Sequence, residues 1–535
     1  MSSWNSIVKS RGVPVLIRTA RVLLVLLLAA ALLAAAPAAA PKKPRLVLAI
    51  VIDQFRYDYL LRFRSDYTSG FARMLRDGAV FTDAHYIHAA TVTAVGHATF
   101  LTGATPSISG IVANDWYDRA SAQKVTSVSD AQTKVVGGAT DAVGSSPRRL
   151  LVSTVGDELK MSDPQSKVIG VSLKDRAAIL PSGHMADGAY WFDGKRWVTS
   201  TYYRADLPDW VKKINDEKAY QRYATELWLP FDANDPAKAF CTMATGAALR
   251  SCGGIDATPW ANEFIEDFAE RALANEGLGR HAGTDILTVS FSANDYVGHR
   301  VGPDDPAVRD ISIRTDRLIG KLLDDADRTV GAGNTLVVLT ADHGVAPVPE
   351  VNQARHMPGG RLKDADVTKS VSAALTRRYG PGAWLLTGGS ATMPYLNLKL
   401  IRTHRLDPAA VESVAAAAAR TVDHIARVAT WHELQDGRVQ QDAIGSAMTM
   451  GFYGPRSGSL YIVQEPYYIF DATGTTHGTP YDYDTHVPLL FLGPGIAPAV
   501  YNRKVAINDV APTLAEILGV ERPSGSVGHV LSELF

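Results

Sequence analysis

The chain has 535 residues, with 54 Lys and Arg against 55 Asp and Glu and a formal net charge of −1. A composition that is 46% hydrophobic and 20% charged is globular and excludes a disordered chain, a collagen and a long coiled coil; the charge balance lacks the basic surplus of a nucleic-acid binder. Two cysteines are too few for a disulfide scaffold or a cysteine-based metal site.

The N-terminus reads as a targeting segment. Lys9, Arg11, Arg18 and Arg21 precede an unbroken run of Leu, Val and Ala over residues 22–36, and small residues follow to Ala40. That is the layout of a secretory signal peptide over 1–40. The run is 15 residues long, short of the roughly 20 that span a bilayer, and an uncleaved anchor is the competing reading. Export to the periplasm or beyond is expected, with no stable membrane anchor after cleavage. In an oxidising compartment Cys241 and Cys252, with ten residues between them, are expected to close a local loop; two free buried thiols are the alternative.

From residue 41 onward one catalytic domain is expected. The run 46–53 (LVLAIVID) reads as a buried parallel strand ending in Asp, and 167–173, 285–291, 334–342 and 487–493 repeat the pattern. Helical periodicity fills 304–326, 408–420 and 509–518, the last with Asp509 near its N-cap. Such alternation predicts an α/β fold, a mostly parallel central sheet with helices on both faces. Two stretches interrupt it, 177–284, with a hairpin expected around Asp193 and Gly194, and 350–470; both read as insertions that cap an active site.

Polar residues gather where the strands end. Asp53 closes the first run, Asp342 and His343 the fourth; Asp295 and His299 follow the third, and His477 precedes the fifth. Ligands of open α/β sheets bind beyond the carboxyl ends of the strands. Each residue alone reads equally well as a helix cap or a satisfied core histidine; it is the set that points to metal. Three Asp and three His suit zinc, or manganese or cobalt, and six ligands exceed one tetrahedral site, so two metals are expected. Upstream, 88–103 (HAATVTAVGHATFLTG) offers Thr91 and Thr93 as hydroxyl nucleophiles that a metal would activate; β-branched packing residues are the alternative.

These residues resemble the alkaline phosphatase superfamily of two-metal hydrolases, and more closely its secreted, monomeric, zinc-dependent PafA-like (phosphate-irrepressible) branch. The motifs VIDQFRYDYL, TVTAVGHATFLTG, IVANDWYD, VSLKDRA, NDYVGH, TADHG, HGTPYDYDTHVP and DVAPTLAEILG occur in order along nearly the whole chain. The resemblance implies that Thr93, four residues before His97 and 21 before Asn114, is the nucleophile and passes through a phosphothreonine. It implies one zinc on Asp53, Thr93, Asp342 and His343 and a second on Asp295, His299 and His477, with His486 the competing late histidine. Lys174 and Arg176, otherwise a pair of solvated loop charges, become with Asn114 the contacts to the phosphoryl oxygens, and Asp175 orients one of the two cations. The implied activity is hydrolysis of small-molecule phosphate monoesters by a monomer. A phosphodiesterase of the nucleotide pyrophosphatase type and a non-catalytic periplasmic phosphate- or metal-binding protein are the rivals; a sulfatase lacks its cysteine in the nucleophile region.

The exported protein is expected to begin near residues 39–42 of this sequence. N-terminal sequencing of secreted material checks this, and an intact Met1 would refute it.

Overall fold

In a computed structural model of the chain, which describes residues 43–138, 142–246, 249–387 and 389–535, the first apolar run forms strand β1 (Leu46–Ile52), buried at every position. The expected signal segment, residues 1–40, lies outside the described residues. A strand with no solvent-facing side needs neighbours on both edges and cover on both faces, and β1 has neighbours on both edges. The other strands of its sheet are β2 (Ala79–His85), β3 (Ser129–Val136), β4 (Val143–Ser145), β5 (Val168–Ser172), β6 (Gly188–Phe192), β7 (Trp197–Ser200), β8 (Asp285–Phe291), β9 (Thr335–Thr340), β10 (His486–Leu492) and β11 (Ala499–Ala506). Their order is β11-β2-β10-β9-β1-β8-β5-β6-β7-β3-β4. The central block β9-β1-β8-β5-β6 is parallel throughout.

One expected strand runs the other way. The run at 487–493 reads as parallel in sequence, but β10 pairs antiparallel with both β9 and β2. A continuous apolar run reports burial on two faces and carries no information about direction. The reversal matters, because the N-terminal end of β10 then lies at the carboxyl edge of the parallel block.

Helix α1 (Thr93–Thr102) follows β2 and is buried along its whole length. Helix α2 (Ala293–Val301) follows β8, and α3 (Pro306–Val330) extends four residues beyond the expected 326, its N-cap Asp305 accepting from Ala307 N–H. Asp509 does precede the helix α4 (Val510–Leu518), but no side-chain bond caps that helix. Its carboxylate accepts instead from the N–H groups of Ala506 and His529.

The two interruptions differ in kind. In 177–284 the expected hairpin is β6 and β7, with Asp193 Oδ1 accepting from the N–H groups of Lys195 and Arg196, and it extends the central sheet. Further on, a disulfide joins Cys241 and Cys252, Cα atoms 5.0 Å apart. The 350–470 stretch builds its own core from Val371, Leu375, Trp384, Val411, Ala415 and Ile462, around an antiparallel pair, Ile425–Thr430 with Leu460–Gln464.

Helix α1 seats directly on the chain after β9. A Cβ at Gly96 would lie 2.2 Å from the Asp342 carbonyl oxygen and 2.7 Å from its Cα. Backbone cannot rotate away as a side chain does, so Gly96→Ala is expected to lower stability by about 1–3 kcal/mol through overpacking. Urea unfolding of variant and parent measures it; an unchanged midpoint would mean that α1 shifts freely over Asp342.

Candidate active site

The sheet brings the polar residues to one edge. Asp53 directly follows β1, and Asp342 and His343 follow β9. Asp295 and His299 lie one turn apart on α2, so they share a face. Lys174 follows β5, Thr93 is the first residue of α1, and His477 lies on the loop that leads into the reversed β10.

Two triads form there. In the first, Asp53, Asp342 and His343 are all buried, and His343 Nε2 lies 3.5 Å from Asp53 Oδ1 and 3.3 Å from Asp342 Oδ2. These three atoms are buried without a hydrogen-bond partner among the described residues. Orphaned lone pairs in a protein interior are costly, and a divalent cation between them would satisfy all three. In the second triad His299 Nε2 is 3.1 Å and His477 Nε2 3.7 Å from Asp295 Oδ1. All three histidines are held alike, with Nδ1 2.8–2.9 Å from the carbonyl oxygens of Gly344, Thr475 and Thr91. A carbonyl only accepts, so each Nδ1 carries a proton and each Nε2 faces its carboxylates, where it could offer a lone pair to a cation. The rings of His343 and His477 stack with centroids 3.5 Å apart, so the triads adjoin. Both groups have the make-up of a metal site, and the O/N donors suit zinc.

Charge points the same way. Lys174 is buried, its Nζ 2.6 Å from both Asp53 Oδ2 and Asp295 Oδ2, one ammonium shared between the triads. Burial opposes its charge, yet Asp295 and Asp53 outweigh burial and hold it above the usual lysine range. Burial, with Asp342 nearby, pushes the Asp53 carboxyl well up, and burial, with His343 and His299 nearby, pushes the His477 imidazole well down, so it stays neutral as a ligand must. Were all three carboxyls ionised they would outnumber the one ammonium, and the upward push on Asp53 is the sign of that surplus.

The nucleophile candidates separate. The Thr91 hydroxyl donates to Thr479 O at 2.8 Å, whereas among the described residues no hydrogen bond holds that of Thr93. Thr93 is tied to the first triad through His97, whose Nδ1 is 2.8 Å from Thr93 O and 3.3 Å from Asp342 Oδ2. Asn114 Oδ1 accepts from Ala94 N–H at 2.8 Å, which keeps its carboxamide at the start of α1. Lys174 is therefore no solvated loop charge. Arg176 Nε is a buried donor without a partner among the described residues, and Asp175 stands by Arg176, 4.0 Å from its guanidinium. His486 lies apart from both triads, its ring between those of Tyr57 and His85 with centroids 4.5 Å from each, and its Nε2 donates to Thr82 O.

Sequence reasoning missed Gln54 and Asp484. Gln54 follows Asp53 directly and bonds to both Asp342 and Asp295; adjacency to Asp53 was its only signal, and strand alternation argued against it.

Residues 47–486 match a family model described as type I phosphodiesterase / nucleotide pyrophosphatase. Alkaline phosphatase PafA of Elizabethkingia meningoseptica is 34% identical over 520 residues, covering 92% of this chain and 94% of its own. A Myroides odoratus protein named calcium-transporting ATPase is 36% identical over 521 residues, with 92% and 95% covered. The crystal structure of PafA matches with a TM-score of 0.82 at 33% identity, over 92% of this chain and 99% of that one. A second PafA structure carries one threonine changed to serine, and one asparagine, one lysine and one arginine changed to alanine.

Asp484 braces the His477 loop from behind. Its Oδ2 accepts from Thr479 N–H at 2.8 Å and from the Thr479 hydroxyl at 2.6 Å, and its carbonyl accepts from Gly344 N–H at 2.7 Å. Burial pushes its carboxyl up to about 7, against the pull of Thr479. A carboxyl that titrates near 7 when folded and about 4 when unfolded holds its proton more tightly in the fold. Stability therefore falls as pH rises from about 4 to about 7, by at most about 1.4 kcal/mol per unit from this group. Asp484→Asn is expected to flatten that slope in urea unfolding followed across this window; an unaltered slope would place the titration elsewhere.

Proposed function

Because the chain belongs to the type I phosphodiesterase / nucleotide pyrophosphatase family and is a hydrolase of the alkaline phosphatase type, we propose that it hydrolyses phosphate monoesters through a phosphothreonine on Thr93 at a two-zinc site. The observation that carries the reading is the pair of Asp/His triads on either side of the buried Lys174 ammonium. Asp53, Asp342 and His343, joined by Thr93, would hold one zinc and Asp295, His299 and His477 the other; such ions supply Lewis-acid activation of a hydroxyl and neutralise charge on phosphoryl and leaving oxygens.

The chain's own residues account for the rest. Thr93 Oγ1 attacks phosphorus in line, and the new P–O bond forms as the ester P–O bond breaks and the alcohol leaves. Water then cleaves the phosphothreonine and returns the hydroxyl. The start of a ten-residue buried helix favours the negative charge that gathers at Thr93. Lys174, the unpartnered Arg176 Nε and the Asn114 amide are the donors that meet the phosphoryl oxygens, and a forked guanidinium suits a dianion. The four residue types altered in the second PafA structure are those of Thr93, Asn114, Lys174 and Arg176.

Cations facing the non-bridging oxygens favour a monoester, which carries one charge more than a diester. They weigh against a nucleotide pyrophosphatase activity; the Thr93 hydroxyl weighs against a passive binder, which has no use for it. Among the described residues no helix is long and apolar enough to cross a membrane. The proposed setting is the periplasm or the exterior, as a monomer acting on small phosphate esters once residues 1–40 are removed.

Thr93→Ala is expected to cut monoester kcat/KM by orders of magnitude while about two zinc ions per chain remain bound. Thr91→Ala is expected to cost stability, about 1 kcal/mol for one hydrogen bond, and to leave turnover. Arg176→Ala, which touches neither triad, should cost about one to two decades in monoester kcat/KM, since a charge-assisted contact is worth roughly 1.5–3 kcal/mol and about 1.4 kcal/mol is tenfold. A matched diester should lose much less. Equal losses for both esters, or a dead Thr91→Ala beside an active Thr93→Ala, would overturn the reading.

A further inference from the structure

Gln54 has a backbone that a strand residue does not adopt. Its φ is +58°, in the left-handed region that is uncommon for anything but glycine. Successive side chains of a regular strand point to opposite faces, so Asp53 and Gln54 could not both face one site if β1 simply continued. The left-handed turn breaks that alternation, and both consecutive side chains face the same buried edge; Gln54 is 1% exposed.

The turn gives Gln54 two donors with two destinations. Its backbone N–H lies 3.0 Å from Asp342 Oδ1, which leaves Asp342 Oδ2 as the orphaned atom facing His343. Its side-chain Nε2 lies 2.7 Å from Asp295 Oδ1, the oxygen nearest the Nε2 atoms of His299 and His477. Because Asp295 Oδ2 is held by Lys174 at 2.6 Å, the two bonds together fix the plane of that carboxylate. A carboxylate accepts and does not donate, so the amide nitrogen is the end facing Asp295, and Oε1 points at α2. There Gly298 makes room: a Cβ on it would lie 1.8 Å from Gln54 Oε1 and 2.9 Å from its Cδ.

We infer that Gln54 is a positioning residue that divides its donors between the two cation sites, the backbone N–H setting Asp342 for one and the side-chain amide setting Asp295 for the other. The inference rests on the two-zinc reading. It follows that the Gln54 side chain governs the Asp295, His299 and His477 site alone, and that Gly298, which touches no cation, acts on that site through Gln54. A glutamine that merely fills space would affect both sites alike or neither.

The test is zinc binding to metal-stripped protein, titrated against a competing chelator, with no turnover involved. Gln54→Gly keeps the backbone donor in a conformation glycine adopts readily and removes only the amide. The parent is expected to show two tight sites. Gln54→Gly should retain one unchanged and bind the other about 10–100-fold more weakly, the usual cost of losing a partner behind a ligand. His299→Ala, which deletes a ligand of the affected triad, identifies the surviving site as that of Asp53, Asp342 and His343. Gly298→Ala should reproduce the selective loss by displacing the amide, and should add nothing in the Gln54→Gly background, the non-additivity expected of residues that act as one unit. If either variant fails to fold, the other still decides. A parent with fewer than two sites overturns the two-zinc reading and this inference with it. A two-site parent whose variants weaken both sites equally, weaken neither, or lose affinity additively overturns this inference and leaves the two-zinc reading standing.

Discussion

A single buried ammonium organises this edge of the sheet. Lys174 Nζ lies 2.6 Å from a carboxylate oxygen of each triad, and those carboxylates come from different elements, the end of β1 and the helix after β8. Burying charge is expensive unless geometry repays it, and here one ammonium is set against three buried carboxyl groups, Asp53, Asp295 and Asp342. The remaining imbalance is concentrated in atoms that point at one another, Asp53 Oδ1, Asp342 Oδ2 and His343 Nε2. A protein that folds with such an arrangement has spent stability on a place for cations, and the donor set, two oxygens with one imidazole beside one oxygen with two, decides which cations suit it.

The surroundings keep those atoms from relaxing toward one another. Each imidazole is pinned by a carbonyl behind it, so rotation toward a new partner would break an existing bond. Helix α1 is pressed onto the Asp342 backbone at Gly96 and is tied to it again through His97, whose Nε2 rests on Ser290 of β8. Thr93 is thereby placed by contacts to three separate segments, while its hydroxyl remains free of them. Rigid positioning of an unoccupied hydroxyl is what a proposed in-line attack requires, since most of the catalysis of phosphoryl transfer is orientation and charge.

The reversed strand β10 explains the position of the last histidine. Because β10 runs against β9, the loop before it arrives at the carboxyl edge of the parallel block, and His477 arrives with it. A parallel β10 would have placed His477 at the opposite end of the sheet. Asp484 then binds that loop to Gly344, the residue after His343, so the two triads share a brace as well as a stacked pair of rings.

The residues themselves determined the class of the fold and where most polar groups of the candidate site gather. Continuous apolar runs can be buried on two faces only in a covered sheet, and Asp or His at the ends of such runs have few places to go but its edge; Asp53, Asp295, His299, Asp342 and His343 were legible on that ground. The chemistry of His477 and His486 is the same in sequence, and so is that of Thr91 and Thr93; the family resemblance favoured His477 and Thr93 by their place in the motifs. The tertiary structure adds a physical difference, the partner each one meets: Thr479 O for the Thr91 hydroxyl, Thr82 O and two ring faces for His486. Strand direction was hidden, since burial patterns have no polarity. Gln54 was hidden by the period-2 rule itself, which sends neighbours of Asp53 to the other face; a left-handed φ at one residue set the rule aside, and no local signal announces such a turn when the residue that makes it is not glycine.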